Sequence, residues 1–402
     1  GVYAATIDVN FGQKPFKFPP PEGYQSLNYA NLTRPEFVRP DSVVGVTTYA
    51  GDGTSVHPHD LNPSLNFSPD FIWIKGYTDP DKHGLYDTVR GATKRLQTGS
   101  QGTNGQDTQN GVMEFLPNGF RIGDYAETNG VDRGYVAWCW KAGGNKGTFN
   151  KDDVGYASAA AAGLDGGSTN PTAASVNTKS KFGIYTFDGD SANRTLSHGL
   201  GQQPDFMIVK KKSASGNSWV VWHKSIDNTK YLILNGVNNE DTDATLFNSH
   251  GSDSSTLWTL GSNTSINETG QSSVAYLWCD VPGLQKFGKY TGNASGNPFI
   301  ELGFRPALLW IKNTSTSSTD WILINSERQP INSGTMKKLY ANTDSSESNT
   351  GIDVQNNLDL LSNGFKLRDS NNRVNATGDV YIYAAWAEAP MNNLFGGQSN
   401  AR

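Results

Sequence analysis

Pro69-Asp70-Phe71-Ile72-Trp73-Ile74-Lys75 is the stretch of sequence that decides the fold, because it is a short apolar run bounded by a proline and a lysine. A run of four or five apolar residues suits a strand that is buried on both faces, and it is too short for a helix. Proline is tolerated at the start of a strand, where the backbone need not donate to the ladder. The stretch therefore predicts a buried β-strand.

The same pattern occurs twice more along the chain. The further copies are Pro204-Asp205-Phe206-Met207-Ile208-Val209-Lys210 and Pro306-Ala307-Leu308-Leu309-Trp310-Ile311-Lys312. Each copy is followed, at similar spacing, by a closing aromatic strand: Tyr135-Val136-Ala137-Trp138-Cys139, Tyr276-Leu277-Trp278-Cys279 and Tyr383-Ala384-Ala385-Trp386-Ala387. Segments that recur in one order three times predict three internal repeats of one β-rich unit.

Two details of the closing strand follow from this alignment. It places Cys139 and Cys279 at equivalent positions, with Ala387 in the third repeat, so both thiols are predicted to be buried and inert. Asn-rich and Gly-rich segments that begin at Asn129, Asn267 and Asn375 precede the closing strands and predict hairpin-like turns.

The repeats divide the chain into six segments. We expect an extended, proline-rich N-terminal segment at 1–40, a β-sandwich repeat at 41–143, a mobile Ala/Gly/Ser linker at 144–180, further repeats at 181–282 and 283–391, and a C-terminal tail at 392–402. The composition agrees with this, since 44 glycines and 44 aromatic residues suit short strands joined by tight turns. The fold class predicted is all-β.

The charge and hydropathy of the chain exclude several partners. The formal net charge is −5, and no basic stripe of the kind that binds nucleic acid is present. No apolar stretch is long enough to predict a membrane-spanning helix. We therefore expect neither nucleic-acid binding nor membrane insertion.

The sequence carries no motif that predicts a cofactor, a metal or a catalytic centre. His57-Pro58-His59-Asp60, Asp79-Pro80-Asp81 and Asp188-Gly189-Asp190 have ligand residue types but read as polar turns. Glu114, Glu301 and Glu327 are the candidates for a glycosidase carboxylate pair, but none recurs in all three repeats. We expect that the chain is not an enzyme and holds neither metal nor cofactor.

Aromatic side chains near loops are the candidates for a glycan-binding surface. Tyr77 and Trp219 lie beside Lys and Asp residues, and His83 is the third candidate. The competing interpretation is that such rings pack within the sandwich.

Several segments resemble the tail-fibre-like virion structural proteins of marine and cyanobacterial phages. Thr88-Val89-Arg90-Gly91-Ala92 with the closing strand at 135–143 is similar to the first repeat of that family, and Tyr381-Ile382-Tyr383-Ala384-Ala385-Trp386-Ala387-Glu388 is similar to its C-terminal region. Val9-Asn10-Phe11-Gly12-Gln13-Lys14-Pro15-Phe16 looks like the last strand of an upstream SPRY-like domain. The chain is therefore expected to be part of a longer protein.

The resemblance implies three tandem concanavalin-like or jelly-roll sandwiches at an extracellular virion surface. It implies a fibre protein that contacts other virion proteins, forms a homotrimer and adheres to a host-surface glycan. One alternative is a purely structural filament or decoration subunit, joined through an N-terminal strand with Val2, Tyr3, Ile7, Val9 and Phe11 as assembly residues. A second alternative is a capsule depolymerase, which requires two carboxylates about 5 to 10 Å apart.

Overall fold

The three apolar runs form strands of three separate sheets. The computed structural model describes residues 14–15, 17–19, 21, 34–54, 65–99, 106–212, 217–294, 298–329, 331–332, 336–347 and 358–391. Within these ranges nearly all regular structure is β, so the predicted all-β sandwich class is confirmed. The α-helices of the described ranges are α1 (Ala126–Asn129) and α2 (Thr264–Asn267), and no helix there has the length and hydrophobicity that crossing a membrane requires.

In each of the three main sheets, the closing strand lies between the first strand of its repeat and the strand of its apolar run. From edge to edge, sheet 1 consists of β1 (Val44–Ala50), β8 (Gly134–Trp140), β2 (Phe71–Gly76) and β3 (Gly84–Asp87). Sheet 3 consists of β20 (Gln285–Thr291), β27 (Val380–Pro390), β22 (Phe304–Asn313), β23 (Ile322–Asn325) and β24 (Leu339–Tyr340). The short pair β4 (Lys94–Arg95) and β5 (Asp107–Thr108) lies beside β3, through a bridge between Leu85 and Leu96.

Sheet 2 has the same central order with extra strands at its edge. It consists of β10 (Val154–Tyr156), β9 (Phe149–Lys151), β11 (Ala173–Asn177), β12 (Phe182–Asp188), β19 (Ser272–Trp278), β14 (Phe206–Lys211), β15 (Val220–His223), β16 (Lys230–Ile233) and β17 (Asp241–Thr242). Strands β9 and β11 pair in parallel, whereas the other neighbours in this sheet are antiparallel.

A smaller outer sheet accompanies each main sheet. The outer strands are β6 (Val112–Leu116) and β7 (Gly119–Ile122) for sheet 1, β13 (Arg194–Ser197) and β18 (Leu257–Leu260) for sheet 2, and β21 (Phe299–Glu301), β26 (Gly364–Leu367) and β25 (Leu358–Leu361) for sheet 3. Short 3₁₀ turns lie at Pro40–Ser42 and Asn248–His250.

Side chains of the apolar runs point alternately to the two faces of the sheet, and both faces are buried. In β2, Phe71 and Trp73 belong to a hydrophobic cluster shared by all three main sheets, whereas Ile72 and Ile74 pack in a separate cluster with Phe120 of the outer sheet. Successive side chains of a strand point to opposite faces, so each main sheet has two buried faces. The main sheets of the three predicted repeats therefore share one core.

A triangle of tryptophans lies in this shared core. Trp140, Trp278 and Trp386 come from the closing strands of sheets 1, 2 and 3, and each is at most 1% exposed. Their ring centroids lie 5.4 to 6.2 Å apart, and every pair meets edge to face. Edge-to-face rings at this separation attract each other beyond the gain from burial alone. The triangle joins the three sheets at one point.

The same tryptophans correct the alignment of the repeats. Equivalent residues of the apolar runs pair with them: Phe71 with Trp140, Phe206 with Trp278 and Leu308 with Trp386. Trp140, not Trp138, is therefore the counterpart of Trp278, and Cys139 and Cys279 are not equivalent. The sequence Trp138-Cys139-Trp140 offers two tryptophans, and the cysteine favoured the wrong one. Both thiols are buried, as predicted, and burial raises their pKa.

The prediction of a mobile linker at 144–180 is wrong. This insertion forms β9, β10 and β11 at the edge of sheet 2, and Ala159, Ala162 and Leu164 pack in the shared core. Its hairpin turn places Asp152 and Asp153 in the left-handed region, with φ of 51° and 65°, without a glycine. The small residues that suggested flexibility are instead needed for close packing.

In place of the predicted hairpin-like turn, the segment before each closing strand is held by the side chain of one buried asparagine. Its side-chain amide donates to the carbonyl six residues earlier, and its oxygen accepts from the turn after the first strand of the same sheet. The three sets are Asn129 with Gly123 and Asp52, Asn267 with Gly261 and Asp190, and Asn375 with Asp369 and Asn293. Asn129 and Asn267 end α1 and α2. These turns are therefore held by buried side chains.

Candidate functional site

Three hydrogen bonds close the main sheets into a ring. The donor in each case is the aromatic residue just before the strand that follows the apolar run of one sheet, and the acceptor is a carbonyl at the edge of the next. We call the boundary between two main sheets a seam and name it by the numbers of the two sheets. Trp219 Nε1 donates to Gln97 O at 2.8 Å across seam 1–2, and Trp321 Nε1 donates to Ile233 O at 2.8 Å across seam 2–3. His83 Nε2 lies 3.0 Å from Tyr340 O across seam 3–1. The ring is thus closed by two indoles and one imidazole.

The His83 imidazole is held as a neutral tautomer by both of its nitrogens. Trp73 Nε1 donates to Nδ1 at 2.8 Å, so the proton belongs on Nε2, which faces Tyr340 O and Thr343 O. Complete burial, reinforced by the positive charge of Lys75, lowers the pKa of His83 to about 3. The side chain is therefore neutral at physiological pH.

Two of the three residues proposed to bind a glycan cannot do so through their own surfaces. Trp219 and His83 are each 0% exposed, so neither ring offers a face to a sugar. Tyr77 is half-buried at seam 3–1, where its carbonyl accepts from Glu347 N at 2.8 Å. The competing interpretation was correct for Trp219 and His83. Trp321 directly precedes the corresponding strand of the third repeat, as His83 and Trp219 do in the first and second. An aromatic residue that recurs at this position could have indicated a structural role.

The candidate carboxylates lie on different elements of the fold. Glu114 in β6 pairs with Arg121 at 2.8 Å, Glu301 in β21 pairs with Lys286 at 3.3 Å, and Glu327 is exposed after β23. Glu114 and Glu301 lie on different outer sheets, each beside its own basic partner. A small pocket of about 170 Å³ places Glu301 near Asp280, but Lys224 already pairs with Asp280.

The aspartates of the turns that carry ligand residue types have other partners. Asp81 pairs with Arg133, and Asp190 pairs with Arg194 at 3.4 Å. Within the described ranges, no three His, Cys, Asp or Glu side chains come together as metal ligands would. The His57–Asp60 segment and the assembly residues Val2, Tyr3, Ile7, Val9 and Phe11 lie outside the described residues.

An open groove between the 144–180 insertion and the outer sheet of β13 and β18 is the candidate binding site. We call it the insertion groove. It has a volume of about 470 Å³, within the usual range for ligand sites. Its lining is rich in glycine and hydroxyl residues and consists of Lys151, Gly163, Asp165, Gly166, Ser197, Gly199, Gly201, Ser255, Thr256 and Leu257.

Local structure explains how these residues meet. Lys151 ends β9 and Ser197 ends β13, so one wall comes from the insertion and the other from the outer sheet. Gly199 then turns the chain with φ of 69°, and a Cβ there would lie 2.9 Å from a methyl group of Leu164. Sequence reasoning missed this site because it treated the insertion as a linker. The alternation in Ala174-Ser175-Val176-Asn177, of which Ala174 and Val176 pack in the shared core, is the signal that could have found it.

Comparison with known proteins gives a family but no named relative. No curated protein matches the sequence. One family model matches residues 39–390, which run from just before β1 to the last residue of β27 and include the insertion. The matched region therefore takes in all three main sheets as one unit. The chain belongs to the family that this model defines, a domain of unknown function (DUF7483).

Proposed function

We propose that the chain is a structural and adhesive protein of a bacteriophage virion surface, which presents a rigid body and binds a host-surface glycan. The observation that carries the proposal is the closed ring of three sheets around one aromatic core. A body whose sheets are buried on both faces has little freedom to open and close, which suits attachment better than a moving active site. The resemblance to tail-fibre-like proteins supports the virion location.

The arrangement of polar groups supports binding over catalysis. Fully buried polar side chains such as His83 and Asn267 are engaged in holding seams and turns. The carboxylates considered for glycoside hydrolysis are separated on different sheets, and an enzyme of that class requires two of them facing one bond. The insertion groove, in contrast, is open to solvent and lined by groups suited to hydrogen bonding.

Antibody labelling of phage particles tests the virion location. Antibodies raised against the purified chain would be applied, with gold labels, to intact particles from a culture that encodes it. We expect label on the particle surface, and serum depleted with the purified chain serves as the control. Particles without specific label would contradict the proposal.

A second experiment tests adhesion to the host. Fluorescently labelled chain would be added to the host cells before and after mild periodate oxidation of their surface glycans. We expect cell-bound fluorescence that oxidation removes. Fluorescence that survives oxidation would instead indicate a protein receptor.

A further inference from the structure

Unpaired polar groups converge on the insertion groove. Among the residues that the structure describes, the Lys151 ammonium and the Asp165 carboxylate have no hydrogen-bond or ion-pair partner. Most other charged groups of the described chain that were considered above are paired, for example Asp190 with Arg194. The groove thus keeps one cation and one anion available for a ligand.

A hydroxyl of a largely buried residue is the third group that the groove offers to a ligand. Ser197 is only 4% exposed, yet its side chain lines the groove and finds no hydrogen-bond partner in the described part of the chain. Its Oγ lies 3.2 Å from the position that a Cβ on Gly166 would occupy. The oxygen itself is not one of the buried side-chain atoms that lack a partner, so solvent in the groove reaches it and a ligand hydroxyl could take the place of that water. Glycine at 166 therefore keeps open the space that this hydroxyl faces.

We propose that the insertion groove binds a neutral saccharide, with Lys151 and Ser197 donating to its hydroxyls and Asp165 accepting from them. This inference rests on the proposed function, since it names the site and the ligand class of the adhesive step. A sugar hydroxyl both donates and accepts, so it satisfies groups of both kinds. An anionic ligand would meet the Asp165 carboxylate and a cationic one the Lys151 ammonium, so the charges of the groove favour a neutral ligand.

Oligosaccharide binding by the intact chain and by groove variants tests this site. The probes are neutral glucose, galactose and mannose oligosaccharides and their uronic-acid counterparts on one array, followed by titration calorimetry with the best neutral probe. Gly166→Leu fills the groove, and the backbone at 166 lies outside the left-handed region, so the substitution brings no backbone strain. Lys151→Met removes the free cation. Lys289→Met, at an exposed lysine of β20 in sheet 3, is the matched control.

We expect the unmodified chain to retain neutral probes, Gly166→Leu and Lys151→Met to weaken binding at least about tenfold, and Lys289→Met to leave it unchanged. Ser197→Ala should weaken binding several-fold. All variants should keep the circular dichroism spectrum of the unmodified chain.

Three results would overturn the inference in distinguishable ways. Preference for the uronic-acid probes would overturn the neutral ligand class. Full binding by Gly166→Leu would place the site elsewhere, while glycan adhesion itself would stand. Retention of no saccharide by the unmodified chain would overturn both the groove and the glycan part of the proposed function, and antibody labelling would still decide the virion location.

Discussion

Seam 1–2 and seam 3–1 join equivalent edges of the main sheets with different chemistry. At seam 1–2, the Trp219 indole donates to Gln97 O, and Tyr276 Oη donates to Asp87 at 2.6 Å. At seam 3–1, the His83 imidazole takes the place of the indole, and Lys75 donates to Asp344 O at 3.1 Å. The indole cannot gain a proton at ordinary pH, whereas the imidazole can.

The comparison teaches that one geometric role can be filled by side chains of different pH sensitivity. The bond from Trp73 forms only while His83 Nδ1 is unprotonated and accepts from the indole. Protonation of Nδ1 would place its N–H against the N–H of Trp73. Burial is the main cause of the lowered pKa of His83, and the positive charge of Lys75 on β2 acts in the same direction. Seam 2–3 is intermediate, because it combines Trp321 with a contact from His223 Nε2 to Tyr383 O at 3.1 Å.

Removal of the Trp219 indole should have the largest effect on the comparison. Trp219→Ala leaves a cavity, which costs about 3 to 5 kcal/mol, and leaves Gln97 O without its donor. We expect a marked fall in the guanidinium unfolding midpoint. Phe299→Ala, at an exposed ring of β21, is the control and should stay within about 0.5 kcal/mol. An unchanged midpoint for Trp219→Ala would show that the seam contributes little.

Acid should open seam 3–1 before seam 1–2. The pKa of His83 is lowered to about 3 in the folded chain, and an unfolded histidine titrates near 6.5. Between these values the unfolded chain binds the extra proton, so this contribution to stability is complete above pH 6.5 and lost as pH falls, by about 2 kcal/mol at pH 5. Hydrogen exchange, corrected for intrinsic rates, should show residues 336–347 losing more protection than residues 94–99.

His83→Gln and His198→Gln separate the seam from the other buried histidines. His83→Gln should destabilise the chain by about 1 to 3 kcal/mol at pH 7.5, because the Trp73 indole loses its acceptor, and should flatten the pH dependence of exchange at 336–347. Burial also lowers the pKa of His198, to about 4, but its hydrogen-bond partners are Ser254 and Leu200, in the loops next to the outer strands β18 and β13. His198→Gln should therefore keep that dependence. An identical pH dependence in His83→Gln would contradict the assignment.

The smallest effect concerns the indole that orients His83. Trp73→Phe removes the donor to Nδ1 and should cost about 1 kcal/mol more than Trp138→Phe. The Trp138 indole N–H is buried and has no hydrogen-bond partner among the described residues, so it is the matched control. Chemical unfolding at pH 7.5 measures both variants. Equal losses would mean that the bond between Trp73 and His83 contributes nothing net.

The sequence predicted the elements of the fold better than their assembly. Local patterns such as Phe71-Ile72-Trp73-Ile74 were sufficient to place strands buried on both faces, and β2 is buried throughout. The residues that cover the second face of each sheet are distant in sequence. The pattern of one repeat therefore could not predict the shared core. The insertion was misjudged because glycine and alanine favour both flexible linkers and close packing. Trp219 and His83 were misassigned because aromatic side chains serve both surfaces and cores.

Ring closure also determines how the body would carry a mechanical load. The 3₁₀ turn at Pro40–Ser42, which leads into β1, lies beside β27, the last strand of the body. A pull applied through residues 39 and 391 therefore acts first on the contact between this turn and β27. The three hydrogen bonds that close the ring involve other strands, so they lie outside the direct path of the force. Under tension the body should thus yield first where the turn meets β27, while the ring of three sheets stays closed.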